Sequence, residues 1–202
     1  MNEIETFVRA DRALKAVVDQ IGKDQLTMQM PADFPTRDDR IYTLVEILGY
    51  QAYDEAWIPT MMAGISIDDA GAEAFGDPFD NDLLADDPTG RFGELVEKSI
   101  DAVEAIDDGE LDHRTVHYSY GDYSAREALW HAIVFRTTRA HDLAKAIGVE
   151  SDLPADLVQA VWDIVEPNAE EWRQMGVFGP EVDVANDAPL QDRLLGLTGR
   201  QP

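Results

Sequence analysis

Residues 124–148 read SAREALWHAIVFRTTRAHDLAKAIG, and their spacing predicts one long helix. Ser124 and Glu127 have capping-box spacing: the hydroxyl accepts from the third backbone N–H and the carboxylate reaches back to the first. Gly148 stands where the end of a helix needs a left-handed residue. Leu129, Ile133, Ala140, Leu143 and Ile147 form an apolar stripe at helical spacing. Trp130 and Val134 begin a second face with Thr137 and His141. A helix apolar on more than one side belongs inside a bundle. Arg136 falls in the middle of the main stripe, flanked by Arg139 and Asp142. Charges inside a bundle need partners, so the stretch predicts a helical core with a polar centre.

Before this helix the pattern is also helical. Residues 2–21 carry Ile4, Phe7, Val8, Leu14, Val17, Val18 and Ile21 at spacings of three and four, and Gly22 stops the run. A loop with Pro31 and Pro35 follows. Thr36 and Asp39 then have N-cap spacing for a second helix from about Arg37 to Trp57, which Pro59 ends or kinks. Its apolar face is Ile41, Leu44, Val45, Leu48, Ala52 and Ala56. The other side sets Glu46, Tyr50 and Asp54 one turn apart beside Tyr42, Tyr53 and Trp57. Two readings stand there: rings covering a helix side with their polar tips in water, or a cleft that combines aromatics with acids.

Residues 64–89 contain Asp68, Asp69, Glu73, Asp77, Asp80, Asp82, Asp86 and Asp87 and no basic residue. Glycines and Pro78 break any period, which predicts a long solvated connection. DPFDND at 77–82 lacks the ligand spacing and closing Glu of an EF-hand loop. Asp87 and Pro88 open a third helix with the stripe Phe92, Leu95, Val96, Ser99, Ile100, Val103 and Ile106. VHYSYGDY at 116–123 alternates weakly, which suits an extended surface loop. After the long helix, Pro154 opens a short one that Pro167 interrupts. NAEEWRQMG at 168–176 makes a further turn or two. The tail from Val177 is mostly extended and then briefly helical from about Pro189.

The chain has 202 residues, 45% of them hydrophobic, enough for an ample core. No run approaches the roughly 18 apolar residues of a membrane span. No signal peptide is visible, so a cytoplasmic location is expected. The absence of cysteine removes disulfides, thiolate metal sites and cysteine nucleophiles together. A net charge of −25 argues against nucleic-acid partners, which need basic residues to displace counterions. It disfavours a membrane surface for the same reason. The acidic surface reads as self-repelling and soluble, with salt adaptation as the other reading.

No GxGxxG, Walker loop, HExxH or GxSxG occurs. Ser119 and Ser124 lie near His117 in sequence, but neighbouring polar residues are not a triad. His131 and His141 share the long helix roughly 80° apart and about 15 Å along it, too far to share one metal directly.

The order of elements, MMAG at 61–64, HDLAKAIG at 141–148 and FGPEVDVANDAPLQDRLLGLTGR at 178–200 together resemble the actinobacterial DinB/YfiT-like proteins. The branch is the one related to mycothiol-dependent maleylpyruvate isomerase. The resemblance covers nearly the whole chain, and the tail is its most specific part. It implies an all-α fold: one DinB/YfiT-like four-helix bundle domain over 1–202, with the bundle at about 2–148 and a C-terminal extension at about 149–202. It also implies a divalent metal, zinc or nickel, in a central cleft, chemistry assisted by mycothiol, and a homodimer.

Matching LVEILG to the family's second-helix pattern puts Glu46 at a metal-ligand position; a one-turn offset puts Tyr50 there instead. Matching HDLA to the family's fourth-helix motif puts Arg139 and Phe135 where two further ligands stand. None of the three ligands is clearly retained. The expectation is therefore no tightly bound metal and an Arg–carboxylate pair in its place, Glu46 with Arg139. Arg136 would draw its acid from Glu46, Asp54 or Glu55. Glu46, Asp54, His131 and His141 are the fallback metal donors. Two functions compete on this scaffold. One is a thiol-dependent enzyme acting on a small molecule, with Glu46 as acid–base, Tyr50 as hydrogen-bond donor and Arg139 or Arg136 clamping a carboxylate. The other is a non-catalytic, non-metallated small-molecule-binding or stress protein, with its pocket near Tyr42, Tyr53, Trp57 and Trp130. In a third, purely structural reading these polar residues close the core.

Overall fold

The computed structural model describes residues 1–36, 38–71, 73–79 and 82–202. Its first helix, α1 (Glu3–Val18), begins at Asn2, whose side chain accepts from Glu5 N–H while Glu5 reaches back. The second, α2 (Leu44–Met62), begins later than the sequence pattern predicts. The expected start at Arg37 lies outside the described residues. The working capping box is Thr43 with Glu46, whose carboxylate accepts from both Thr43 N–H and Thr43 hydroxyl at 2.8 Å. Residues 26–30 instead run back along the helix start, where Met30 N–H donates to Tyr42 and Leu44 N–H to Met28.

Pro59 neither ends α2 nor removes its last turn; it sits inside the helix. Proline has no N–H, so the carbonyl of Glu55, four residues back, loses its helical donor. The Ser99 hydroxyl takes that place from a neighbouring helix, at 2.9 Å.

A single turn, α3 (Ile67–Ala70), interrupts the acidic connection, and Asp80 and Asn81 of that connection lie outside the described residues. Then comes α4 (Pro88–Glu104), with Asp87 accepting from Gly90 N–H as its cap. The stretch read as an extended surface loop is a hairpin, β1 (Thr115–Tyr118) antiparallel to β2 (Gly121–Ser124), pairing Val116 with Tyr123. The long helix is α5 (Ala125–Ile147), bounded by the Ser124–Glu127 box and by Gly148 in the left-handed region at φ 76°. Replacing Ser124 by Ala removes one reciprocal cap and is expected to cost about 1 kcal/mol in denaturant unfolding.

Among the described residues the fold is mostly helical with one small sheet. Along the core α1 lies against α5 and α2 against α4, with α1 also touching α4. Phe7, Leu14, Leu48, Phe92, Leu129 and Ile133 are fully buried where these helices meet. The remaining helices are α6 (Ala155–Val165), α7 (Ala169–Gln174) and α8 (Leu190–Leu197). α6 packs against α8, α5 and α1. The tail docks through close backbone approaches. Val182 N–H donates to Gly196 C=O, and a Cβ on Gly199 would stand 2.9 Å from the backbone of Gly179. Arg200 then grips Asp142 of α5 with Nε and Nη2 at 2.8 and 2.9 Å. Among the described residues no helix is long and apolar enough to cross a membrane.

Candidate functional site

The polar centre predicted from Arg136 exists, and three helices build it. Arg136 is 3% exposed, Asp11 0% and Glu55 1%. Arg136 Nε bonds Asp11 Oδ1 of α1, and Arg136 Nη2 lies 2.8 Å from Glu55 Oε1 of α2. The guanidinium also stands over the Phe7 ring, 5.0 Å from its centroid. Each residue sits within its helix's apolar stripe, so packing the stripes together forces the charges to meet.

Glu55 was one of three acids expected for Arg136; Asp11 was not foreseen. Its signal lay in the sequence. Asp11 is four residues after Phe7 and three before Leu14, on the same helix face.

Burial works against the Arg136 cation, yet the charges of Glu55 and Asp11 outweigh it and hold its pKa above the ordinary value. Asp11 is held well above the usual carboxylate range, first by burial and then by the charge of Glu55, with Arg136 opposing both. The other carboxyl oxygens, Asp11 Oδ2 and Glu55 Oε2, find no donor among the described residues.

The expected pair between Glu46 and Arg139 does not form. Glu46 caps α2 and pairs with Arg40. The N–H of Thr43 holds its carboxyl below the ordinary range, with the Thr43 hydroxyl and Arg40 adding to this. The helix begins at Leu44 with Glu46 in its first turn, and this capping role takes Glu46 away from Arg139. Arg139 turns elsewhere. It is 8% exposed and lies between the rings of Phe34 and Phe135, at 4.9 and 5.2 Å from their centroids. Its Nη1 donates to Pro35 C=O at 3.2 Å, while Nε has no acceptor among the described residues. Arg139 has no ion-pair partner among the described residues, because the neighbouring Asp142 is taken by Arg200. Burial accordingly lowers its pKa, with Asp142 only partly compensating. Tyr50 and Asp54 of α2 also act on Arg139 electrostatically, and Asp54 acts on Arg136 as well.

The aromatic side of α2 is covered by the acidic connection. Phe79 stacks on Tyr42 and Tyr50 at 4.8 and 5.5 Å, and Phe75 packs edge-on to Trp57 at 4.8 Å. Trp130, expected beside them, bonds Glu3 through Nε1 at 3.3 Å. Tyr42 and Trp57 are buried in the core, while Trp130 lines a groove with Glu3, Thr6 and Asp163. A groove of about 780 Å³ lies elsewhere, along α1 and residues 150–154, and none of the polar core residues lines it.

The two α5 histidines also part company. His131 sits among Tyr118, Tyr120, Tyr123 and Trp172, with Tyr123 at 4.7 Å. His141 is buried with neither ring nitrogen hydrogen-bonded among the described residues. Burial lowers the pKa of both. Among the described residues no three His, Asp or Glu side chains gather as a metal centre requires. Glu46, Asp54, His131 and His141 are not brought together as such a group among the described residues. No family model matches the chain, and neither the curated proteins nor the solved structures give a match.

Proposed function

We propose that this chain is a DinB/YfiT-like helical bundle that binds a small carboxylate-bearing molecule without a metal, with Arg139 as its anchor. The observation that carries this is the state of Arg139: buried, flanked by Phe34 and Phe135, and lacking a carboxylate partner among the described residues. A buried guanidinium left unpaired costs several kcal/mol. A ligand carboxylate would supply the missing charge in a paired, hydrogen-bonded geometry. The two aromatic walls favour a flat acid over a compact one. Arg139 is preferred over Arg136 as the clamp because Asp11 and Glu55 already pair with Arg136.

The order of the long helices and the short C-terminal helix support the scaffold reading. The metal that the scaffold implies does not suit this donor set. Phe135 has no donor atom, Arg139 is cationic, and Glu46 is spent on the α2 cap and Arg40. One observation keeps a catalytic reading as the alternative: Tyr50 and Asp54 lie within electrostatic reach of Arg139, where a bound acid would sit.

Calorimetric titration with acetate, benzoate and succinate tests the proposal. Benzoate is expected to bind best, and Arg139→Gln to weaken it by roughly 10–100-fold. Benzoate binding unchanged in Arg139→Gln, or no binding of any of the three acids, would overturn it. Near-stoichiometric zinc or nickel in untagged protein purified without chelator would overturn its metal-free part.

A further inference from the structure

We propose that the folded core stores one proton on the Asp11–Glu55 pair, with Arg136 as their shared counter-charge, and that this couples the α1–α2–α5 junction to pH. The inference is independent of what Arg139 binds. Two carboxyl groups meet one guanidinium at a place where none of the three side chains is more than 3% exposed. Were both acids ionised, the site would keep one uncompensated negative charge away from water, which proteins avoid by taking up a proton. The second oxygens point the same way. Asp11 Oδ2 and Glu55 Oε2 lack donors among the described residues, and Glu55 lies close enough to suppress the acidity of Asp11. A proton between them turns a repulsive contact into a hydrogen bond.

Among the described residues, no other salt bridge brings a positive charge to the pair. Of the two other acids on α2, Glu46 is taken by Thr43 and Arg40, and Asp54 acts on Arg136. From β1 there is Tyr118, whose hydroxyl donates to Ala128 C=O at 3.0 Å. The charged residues of α4 are all exposed, as are Asp156 and Asp163 of α6. On α1 itself Arg9 and Arg12 are exposed, and Lys15 pairs with Asp19.

The direction of the pH effect follows from Asp11, whose acidity burial and Glu55 suppress. A carboxyl with a raised folded pKa contributes stability that is fully present below its unfolded pKa. That contribution is lost as pH rises through the folded value. The junction is therefore expected to loosen on the alkaline side.

Infrared spectroscopy of the full chain decides the matter. At neutral pH the exposed acids are ionised, so a single protonated carboxyl stands clear in the C=O stretching region. The band is expected in the native protein and should be lost in both Asp11→Asn and Glu55→Gln. In each variant one acid remains to pair with Arg136, so both should fold, and each should lose the alkaline weakening. The double variant strands Arg136 and should lose about 100-fold or more in folding equilibrium relative to either single one. The single-variant spectra decide the proposal even if the double variant does not fold. Absence of the band in the native protein, or its survival in both single variants, would overturn the proposal. Absence of the band together with stability that rises on adding potassium or sodium would assign the charge to a bound cation instead.

Discussion

Arg136→Met is expected to lower unfolding free energy by about 3–5 kcal/mol at neutral pH, the cost of stripping one partner from a buried ionic cluster. The side chain is nearly isosteric along its stem, so little of the loss comes from volume. It comes from leaving Asp11 and Glu55 facing each other with no cation between them. The deficit should narrow as pH falls, because protonation of the acidic pair removes its need for a counter-charge. Urea unfolding at several pH values measures this directly. A loss below about 1 kcal/mol, the range of exposed pairs, would mean the cluster is not electrostatically closed.

Gly199→Ala is expected to cost about 2–4 kcal/mol and to release the tail. Gly199 has φ 82°, where a side chain is strained by roughly 1–3 kcal/mol. Its Cβ would also stand 2.9 Å from the Gly179 backbone, which cannot yield as a flexible side chain can. The next residue is Arg200, so displacing this turn pulls the guanidinium away from Asp142. Gly148→Ala is the control. Gly148 has φ 76° but nothing within 4 Å, so only the backbone penalty of roughly 1 kcal/mol applies. Thermal unfolding with limited proteolysis of residues 177–202 separates the two. Equal losses in both variants would remove the close approach as a cause.

The long helix was legible because its end signals are local. The Ser124–Glu127 box and Gly148 mark boundaries within one residue of those observed. Asp87 and Pro88 marked α4 for the same reason. The start of α2 was misread because Thr36 with Asp39 imitates a cap that Thr43 with Glu46 supplies. Pro59 was read as an end or a kink; it sits inside the helix, and Ser99 from another helix satisfies the carbonyl it frees. No local pattern on α2 announces that partner.

The candidate site divides along the same line. Arg136 announced a buried acid through its place in an apolar stripe, and Glu55 was among those named. Asp11 came from a helix whose apolar residues already explained its burial. Glu46 failed as a partner for Arg139 because the true helix start claimed it. The occupation of Asp142 by Arg200 depends on the tail folding back over a separation no periodicity reports.

The cluster also dictates when during synthesis the core can close. Asp11 and Arg136 are 125 positions apart. While a ribosome has made only α1, α2 and α4, Asp11 and Glu55 are two acids on apolar faces with no guanidinium to receive them. Packing those faces together would bury acidic charge with no cation to compensate it. The first half of the chain is thus held back from premature consolidation until α5 emerges, and the late arrival of one arginine turns three nascent helices into a common fold.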